Sequence, residues 1–460
     1  MHPEWGWVRS FLRYIRMIMK SIRLRGGILI LFVSAIMYWI GFSMLRPMVA
    51  LYFESAGYTT ALIGLIMALG AIIPVLFAMP AGSIIDRIGV RRSVLSGSAL
   101  MLASGVLYWL GGSLSLLWPI LGGQVMLGLG SLLSWGALQA SAAITSDGEG
   151  AAGGRERLLP NFAFANSIAQ FTGPLLGGLL ADFGSYTSVY ASFTVLSLVS
   201  GLLALFLPAK LEISIEAEGD TLKAMKLEEN NGMNSAMPRA REEAPFHFWR
   251  SYSSGYLLLK GNRPFYMAIF LNAVLFVLVD VKGTFVPLYL AAQNLSNTKI
   301  GSILSISGAA SLLIRPFIGL LLRLLGHHYM MIGSILLGAF CLLVLALQPP
   351  LWMIIILLFS WGICTGVNQP MALIMVARNV EKHEQGMGMS LRTMSNRLVQ
   401  VANPLVFGLL SGTIGIALGF GVFGIGLIAL AGITHRMSRN TSMGGSIAGK
   451  NSRQGVRESG

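Results

Sequence analysis

The sequence predicts an all-α membrane protein, with twelve transmembrane helices arranged as two pseudo-symmetric six-helix bundles. Three observations lead there. The chain is 54% hydrophobic and 11% charged, with a mean hydropathy of +0.70, whereas a soluble domain carries about a quarter charged residues. Its apolar residues gather into twelve runs, each near the ~20 residues a helix needs to cross a bilayer. Its Lys and Arg residues then alternate between loops in the manner that sets membrane topology.

Taken in order, residues 1–27 form a basic amphipathic segment. Arg9, Arg13, Arg16, Lys20 and Arg23 recur at steps of four and three. Such a helix is expected to lie in the inner interface of the membrane. A secretory signal also starts basic, but the apolar run from Ile28 is long and no small-residue cleavage site closes it. No cleavage is expected. Spans follow at 28–53, 61–84, 93–112, 116–140, 158–182 and 186–208, which gives a first bundle over 28–208. Residues 209–262 are polar and mixed in charge, and read as a cytoplasmic linker, partly disordered or with short surface helices. Six more spans, at 264–292, 299–322, 328–348, 350–377, 387–411 and 414–435, give a second bundle over 263–436. The Ser/Gly/Arg-rich stretch 437–460 reads as a disordered cytoplasmic tail.

An even number of spans puts both termini on one side. That side, its loops and the linker hold 27 of the 33 Lys and Arg residues, and the opposite loops hold one, Lys299. The other five, Arg46, Lys282, Arg315, Arg392 and Arg397, lie in or near spans. The bias places both termini in the cytoplasm. The two halves also repeat each other. Tyr52, Ile63, Gly64, Gly82 and Gly89 recur as Tyr289, Ile300, Gly301, Gly319 and Gly326, shifted by 237. Asn166, Gln170 and Pro174 recur as Asn396, Gln400 and Pro404, shifted by 230. A repeated six-helix half is the sequence mark of a rocking transporter.

Between the second and third spans lies Gly82-Ser83-Ile84-Ile85-Asp86-Arg87-Ile88-Gly89-Val90-Arg91-Arg92. It resembles the signature loop of the major facilitator superfamily through Gly82, Asp86, Arg87, Gly89, Arg91 and Arg92. That resemblance implies two bundles around one central site, working by alternating access, with this loop docking the halves on the cytoplasmic side. In the second copy Arg323 stands where Asp86 stood. The fifth span carries Ala169-x-x-x-Gly173-Pro174-x-x-Gly177-Gly178, which resembles the superfamily's fifth-helix motif of antiporters and drug exporters, with Ala169 replacing its first glycine. In the fourth span Gln124-x-x-x-Gly128-x-Gly130 matches a family spacing, but Gln124 stands where drug–proton antiporters carry arginine. Physically, Pro174 frees a backbone carbonyl, and the glycines permit close helix contact across the halves or plain small-residue packing.

Charge inside a bilayer is costly and marks either a pathway or a structural pair. Arg46 lies in the first span, and Asp280 and Lys282 in the seventh. Arg46 shifted by 237 is Gly283, beside Lys282, so the halves place cations at nearly matching depth. Asp280 is open to two roles, a proton carrier or one member of a static ion pair. Asn396, Arg397 and Gln400 lie in the eleventh span, Asn166 and Gln170 in the fifth, and Asn368-Gln369 in the tenth. Asn396, Gln400 and Asn403 share one helical face. Amides facing lipid are poorly satisfied, so these groups face protein or water. They serve either substrate contact or interhelical hydrogen bonding.

The net charge of +14 sits in loops and tails beside apolar runs, so topology and anionic lipid explain it better than nucleic acid. Cys341 and Cys364 fall in apolar runs, the six histidines show no metal-ligand spacing, and no phosphate loop, triad or zinc motif occurs. The expectation is a secondary transporter, with no cofactor and no enzymatic activity, moving a small organic or amphipathic solute. Ion-coupled efflux, with protons as the ion, is the first reading. Import of an anionic metabolite is the second, and a non-transporting sensor or assembly factor the third. A monomer in a bacterial inner membrane fits the family and the short loops.

Overall fold

A computed structural model describes residues 6–147, 155–207, 248–380 and 385–455. The first half comprises α1 (Gly6–Ser55), α2 (Thr60–Ile88), α3 (Val90–Leu114), α4 (Leu117–Asp147), α5 (Arg155–Phe183) and α6 (Tyr186–Leu205). Helix α7 (Phe248–Gly261) leads into the second half. That half holds α8 (Arg263–Ala291), α9 (Asn297–Ile314), α10 (Ile318–Ala346), α11 (Leu351–Asn379), α12 (Gln385–Ile414) and α13 (Ile416–Gly455). No strand occurs among the described residues.

The helices give twelve crossings in two related bundles. A 3-10 turn, Arg315–Phe317, joins α9 to α10 where Pro316 lacks an N–H for the α ladder. Gly326, at φ 75° and ψ 165°, then breaks α10. The eighth crossing therefore covers 297–325 and the ninth 327–346. Among the described residues, α5 and α12 are not counted with the helices apolar enough to span by composition. Their polar side chains, Asn166 and Gln170 on α5 and Arg392, Asn396, Arg397, Gln400 and Asn403 on α12, lower the average while facing inward.

The internal repeat is a spatial symmetry. Thr59 and Ser296 are 237 apart, and each caps its helix by accepting a backbone N–H, from Leu62 and Lys299 respectively, both at 3.4 Å. Gly89 and Gly326, also 237 apart, both take positive φ, 83° and 75°. The halves meet along two seams, α2 with α12 and α5 with α9, and these are each other's symmetry mates. A methyl group on Gly64 would collide with the Pro404 carbonyl and lie 3.1 Å from Gly408 Cα; one on Gly301 would collide with the Pro174 carbonyl and lie 3.2 Å from Gly178 Cα. Each of the three residues in one seam is the sequence copy of a residue in the other. Backbone approach this close needs glycine.

Two expectations differ from the structure. Helix α1 is continuous over 50 residues, about 75 Å at 1.5 Å per residue. The basic stretch is helical and runs into the first span without a break, because Gly26-Gly27 lowers helix propensity without interrupting the helix. At the other end α13 runs to Gly455, past the expected boundary at 436, and no proline interrupts it. The linker's last part is α7, which packs on both halves. Gly255 sits against Met79 of α2 and Leu391 of α12, and the Tyr252 hydroxyl donates to the Leu76 carbonyl of α2.

The symmetric seams make a paired prediction. Gly64→Ala and Gly301→Ala should each lower thermal stability in detergent by about 1–3 kcal/mol, the usual penalty for overpacking. Gly319→Ala, with open space beside it, should leave the melting temperature unchanged.

Candidate functional site

Helices α1, α2 and α4 of the first half and α12 of the second enclose a cavity of about 40 Å³, room for a few waters. Four residues expected to face the pathway meet there: Arg46, Gln124, Arg397 and Gln400. Tyr108 of α3 and Ser131 of α4 also line it. Nothing in their sequence context marked these two, since each sits in an ordinary apolar run.

Arg46 leaves α1 one residue before Pro47 and donates across the interface to Asp280 Oδ1 of α8. Asp280 is fully buried, and its second oxygen accepts from Asn403 Nδ2 of α12 at 3.0 Å. Asn403 also donates to the Val277 carbonyl at 3.3 Å. One carboxylate thus joins α1 of the first half to α8 and α12 of the second. Gly283, the sequence copy of Arg46, stands opposite the Arg46 side chain, whose Cδ would lie 3.7 Å from a methyl group there.

Lys282 goes elsewhere. The sequence placed it level with Arg46 and within reach of Asp280. Two residues along a helix turn the side chain by roughly 200°. Its ammonium donates instead to Ser307 Oγ of α9 at 2.7 Å and Thr365 Oγ1 of α11 at 3.1 Å, within the second half. Arg397 is buried and donates to Gln400 Oε1 at 2.9 Å and to Ser131 Oγ of α4 at 3.0 Å. It is therefore a second polar link between the halves. Gln124 is buried, and its amide nitrogen reaches only the thioether of Met67, at 3.5 Å.

The other expected residues do not line this cavity, or their side chains lie outside the described residues. Asn396 accepts from Asn272 Nδ2 of α8 at 2.7 Å, inside the second half. Asn166 is buried in α5. Gln170 lies in the α5–α9 seam, where its carbonyl, freed of a helical donor by Pro174, rests against Gly308. The side chains of Asn368, Gln369 and Asp86 lie outside the described residues.

Of the fifth-helix motif, Pro174 and Gly178 touch α9 across the seam. Gly173 and Gly177 face Ser43, Met44 and Met48 of α1 in their own half. At 100° per residue a single stripe cannot serve one neighbour throughout, so the motif packs α5 on both sides. Below the seam's glycines Asp182 accepts the backbone N–H groups of Asn297 at 3.1 Å and Thr298 at 2.7 Å, a carboxylate on the positive end of α9. Gly82 lies near Ser390 of α12, whose Oγ would be 3.1 Å from an added methyl. Gly89 closes α2 and opens α3, its N–H donating to the Ile85 carbonyl. Arg87 and Arg92 are exposed and Arg91 is half-buried.

A family profile described as Major Facilitator Superfamily matches residues 31–295 and again 268–449. The chain belongs to the major facilitator superfamily. Membership makes it an integral multi-pass membrane protein of a transporter family with small-molecule substrates. Among curated relatives, the class G tetracycline resistance protein of Vibrio anguillarum is 25% identical over 348 residues, covering 75% of this chain and 79% of that protein. Solved structures of the same fold include a POT family transporter in complex with a thioalcohol-conjugated peptide, with TM-score 0.68 and 13% identity over 90% of this chain and 96% of that one. The nucleoside transporter NupG superposes with TM-score 0.64 and 14% identity, over 89% of this chain and 98% of its own. In this superfamily member the two bundles meet at the Arg46–Asp280 pair, on the wall of the cavity between them.

That pair predicts a stability pattern. Arg46→Met should destabilise the protein by about 3–5 kcal/mol, because it strands a buried carboxylate. Adding Asp280→Asn to it should recover most of the loss in the same thermal-unfolding assay.

Proposed function

We propose that this superfamily member is a secondary transporter that moves a small organic or amphipathic solute outward by alternating access, with protons as the coupling ion. One observation carries the proposal: Asp280 joins the two halves through Arg46 at the cavity wall. Away from the span ends, Asp280 is the only carboxylate in the membrane-embedded sequence. Protonation would neutralise it, release Arg46 to the cavity and loosen the tie between the halves. Solute binding and proton binding would then compete for one ion pair, which is the physical requirement for exchange.

In this reading Arg46, Gln124, Arg397 and Gln400 contact the solute. Asn166, Gln170 and Asn396 set helix packing around it. The Gly82–Arg92 loop, with Gly173, Pro174, Gly177 and Gly178, governs the approach of the halves. Both termini are cytoplasmic, the membrane is a bacterial inner membrane, and a monomer suffices because the site is complete within one chain. Outward direction is supported by the relative named for tetracycline resistance. A second reading, uptake of an anionic metabolite, is favoured by Arg46 and Arg397 lining the same cavity.

Flux in proteoliposomes with an imposed pH gradient tests the proposal. Asp280→Asn should abolish proton-driven accumulation of amphipathic solutes while solute–solute exchange persists. Undiminished proton-driven flux in that variant would remove the coupling role. Accumulation only in the import direction would reverse the assignment of direction.

A further inference from the structure

The cavity beside Arg46 is rich in donors and poor in acceptors. Arg397 is 9% exposed, and among the described residues its guanidinium donates to the neutral Gln400 and Ser131. The Ser131 hydroxyl is itself committed as a donor, to the Gly128 carbonyl at 2.8 Å. Tyr108 is 0% exposed, lines the cavity, and has a hydroxyl with no hydrogen-bond partner among the described residues. The Gln124 amide nitrogen has only a thioether to donate to, and sulfur is a weak acceptor. The one carboxylate nearby, Asp280, is already occupied by Arg46 and Asn403. Buried guanidinium groups ordinarily meet a carboxylate or a phosphate, with which they form charge-assisted forks. Arg397 has none among the described residues.

We infer that this cavity is an oxyanion site: the transported solute carries a carboxylate or phosphate group, which Arg397 holds while Tyr108 and Gln124 complete its donor set. This rests on the reading above that the cavity lies on the transport path. It adds the chemical class of the cargo and a recognition role for Tyr108. A second buried cation lies on the same helix. Arg392 is 6% exposed and its Nε has no partner among the described residues, so positive charge recurs along α12 between its first turns and the cavity. Such a gradient draws an anion inward from that end. The present volume of about 40 Å³ fits water, so the solute's body is admitted as the halves part.

Four probes that share a phenyl ring test the charge: benzoate, phenyl phosphate, benzamide and benzyltrimethylammonium, titrated against the full chain in lipid nanodiscs. Tryptophan fluorescence reports binding, because Trp135 lies one helical turn beyond the lining residue Ser131 on α4 and packs 4.7 Å from Trp39. At least one oxyanion should bind about tenfold more tightly than benzamide, the ratio one charge-assisted contact supplies. Which of the two it is names the group. Arg397→Gln should erase that preference and Arg397→Lys should keep part of it. Tyr108→Phe, which retains the ring, should weaken the oxyanion and leave benzamide unchanged. Equal affinity for the neutral or cationic probe, or a preference that survives Arg397→Gln, overturns the inference. Proton-driven flux of a neutral or cationic solute without oxyanion preference would sink this inference alone. Oxyanion binding with no flux in proteoliposomes would sink the transport reading and leave the site standing.

Discussion

A charged side chain at the centre of a bilayer costs about 2.5–3.5 kcal/mol on insertion scales, and the Arg46–Asp280 pair is this protein's answer to that constraint at a point where the two halves meet. Either charge alone would be stranded. Together they neutralise each other, and Asn403 supplies the remaining hydrogen bond to the carboxylate. The pair also determines what its neighbours do. With Asp280 committed, Lys282 has no acid to reach, and two hydroxyls in the second half hold it instead. Arg397 is likewise left to a serine and an amide.

Charge was the part of the site most legible in sequence. An arginine, an aspartate and a lysine in otherwise apolar spans announced themselves, and the repeat placed Arg46 opposite Gly283. Their pairing was not legible. Whether Asp280 or Lys282 turns toward Arg46 depends on the rotation of α8, which a nearly all-apolar helix does not reveal by periodicity. Tyr108 and Ser131 were invisible for a related reason. Tyrosine and serine are common in membrane helices, and only the meeting of α3, α4 and α12 makes them part of a cavity. The amides divided: Gln124 and Gln400 reached the cavity, while Asn396 was absorbed by Asn272.

The fold was legible almost throughout, because the bilayer leaves few options. Backbone groups in hydrocarbon must be satisfied within the helix, so each long apolar run becomes a crossing and each basic gap a turn. The repeat then carried over to particular atoms, in matched caps at Thr59 and Ser296 and matched seam glycines at Gly64 and Gly301. Less legible were the extents of α1 and α13. Composition distinguishes a basic or Ser/Gly-rich stretch from a span, but it does not say whether the helix stops there.

The two kinds of contact between the halves differ in how readily they can be exchanged. Along the seams the backbones touch through glycine and proline carbonyls, and lipid offers no hydrophobic drive to hold such helices together. A seam that opens at one end while tightening at the other therefore loses little. Because the two seams are symmetry mates, their gains and losses nearly cancel. The ion pair has no such mate. Its sequence counterpart is a glycine, Gly283, so nothing on the opposite side replaces it when Arg46 and Asp280 separate. Parting Arg46 from Asp280 would therefore expose buried charge at the centre of the molecule that the symmetric seams cannot offset.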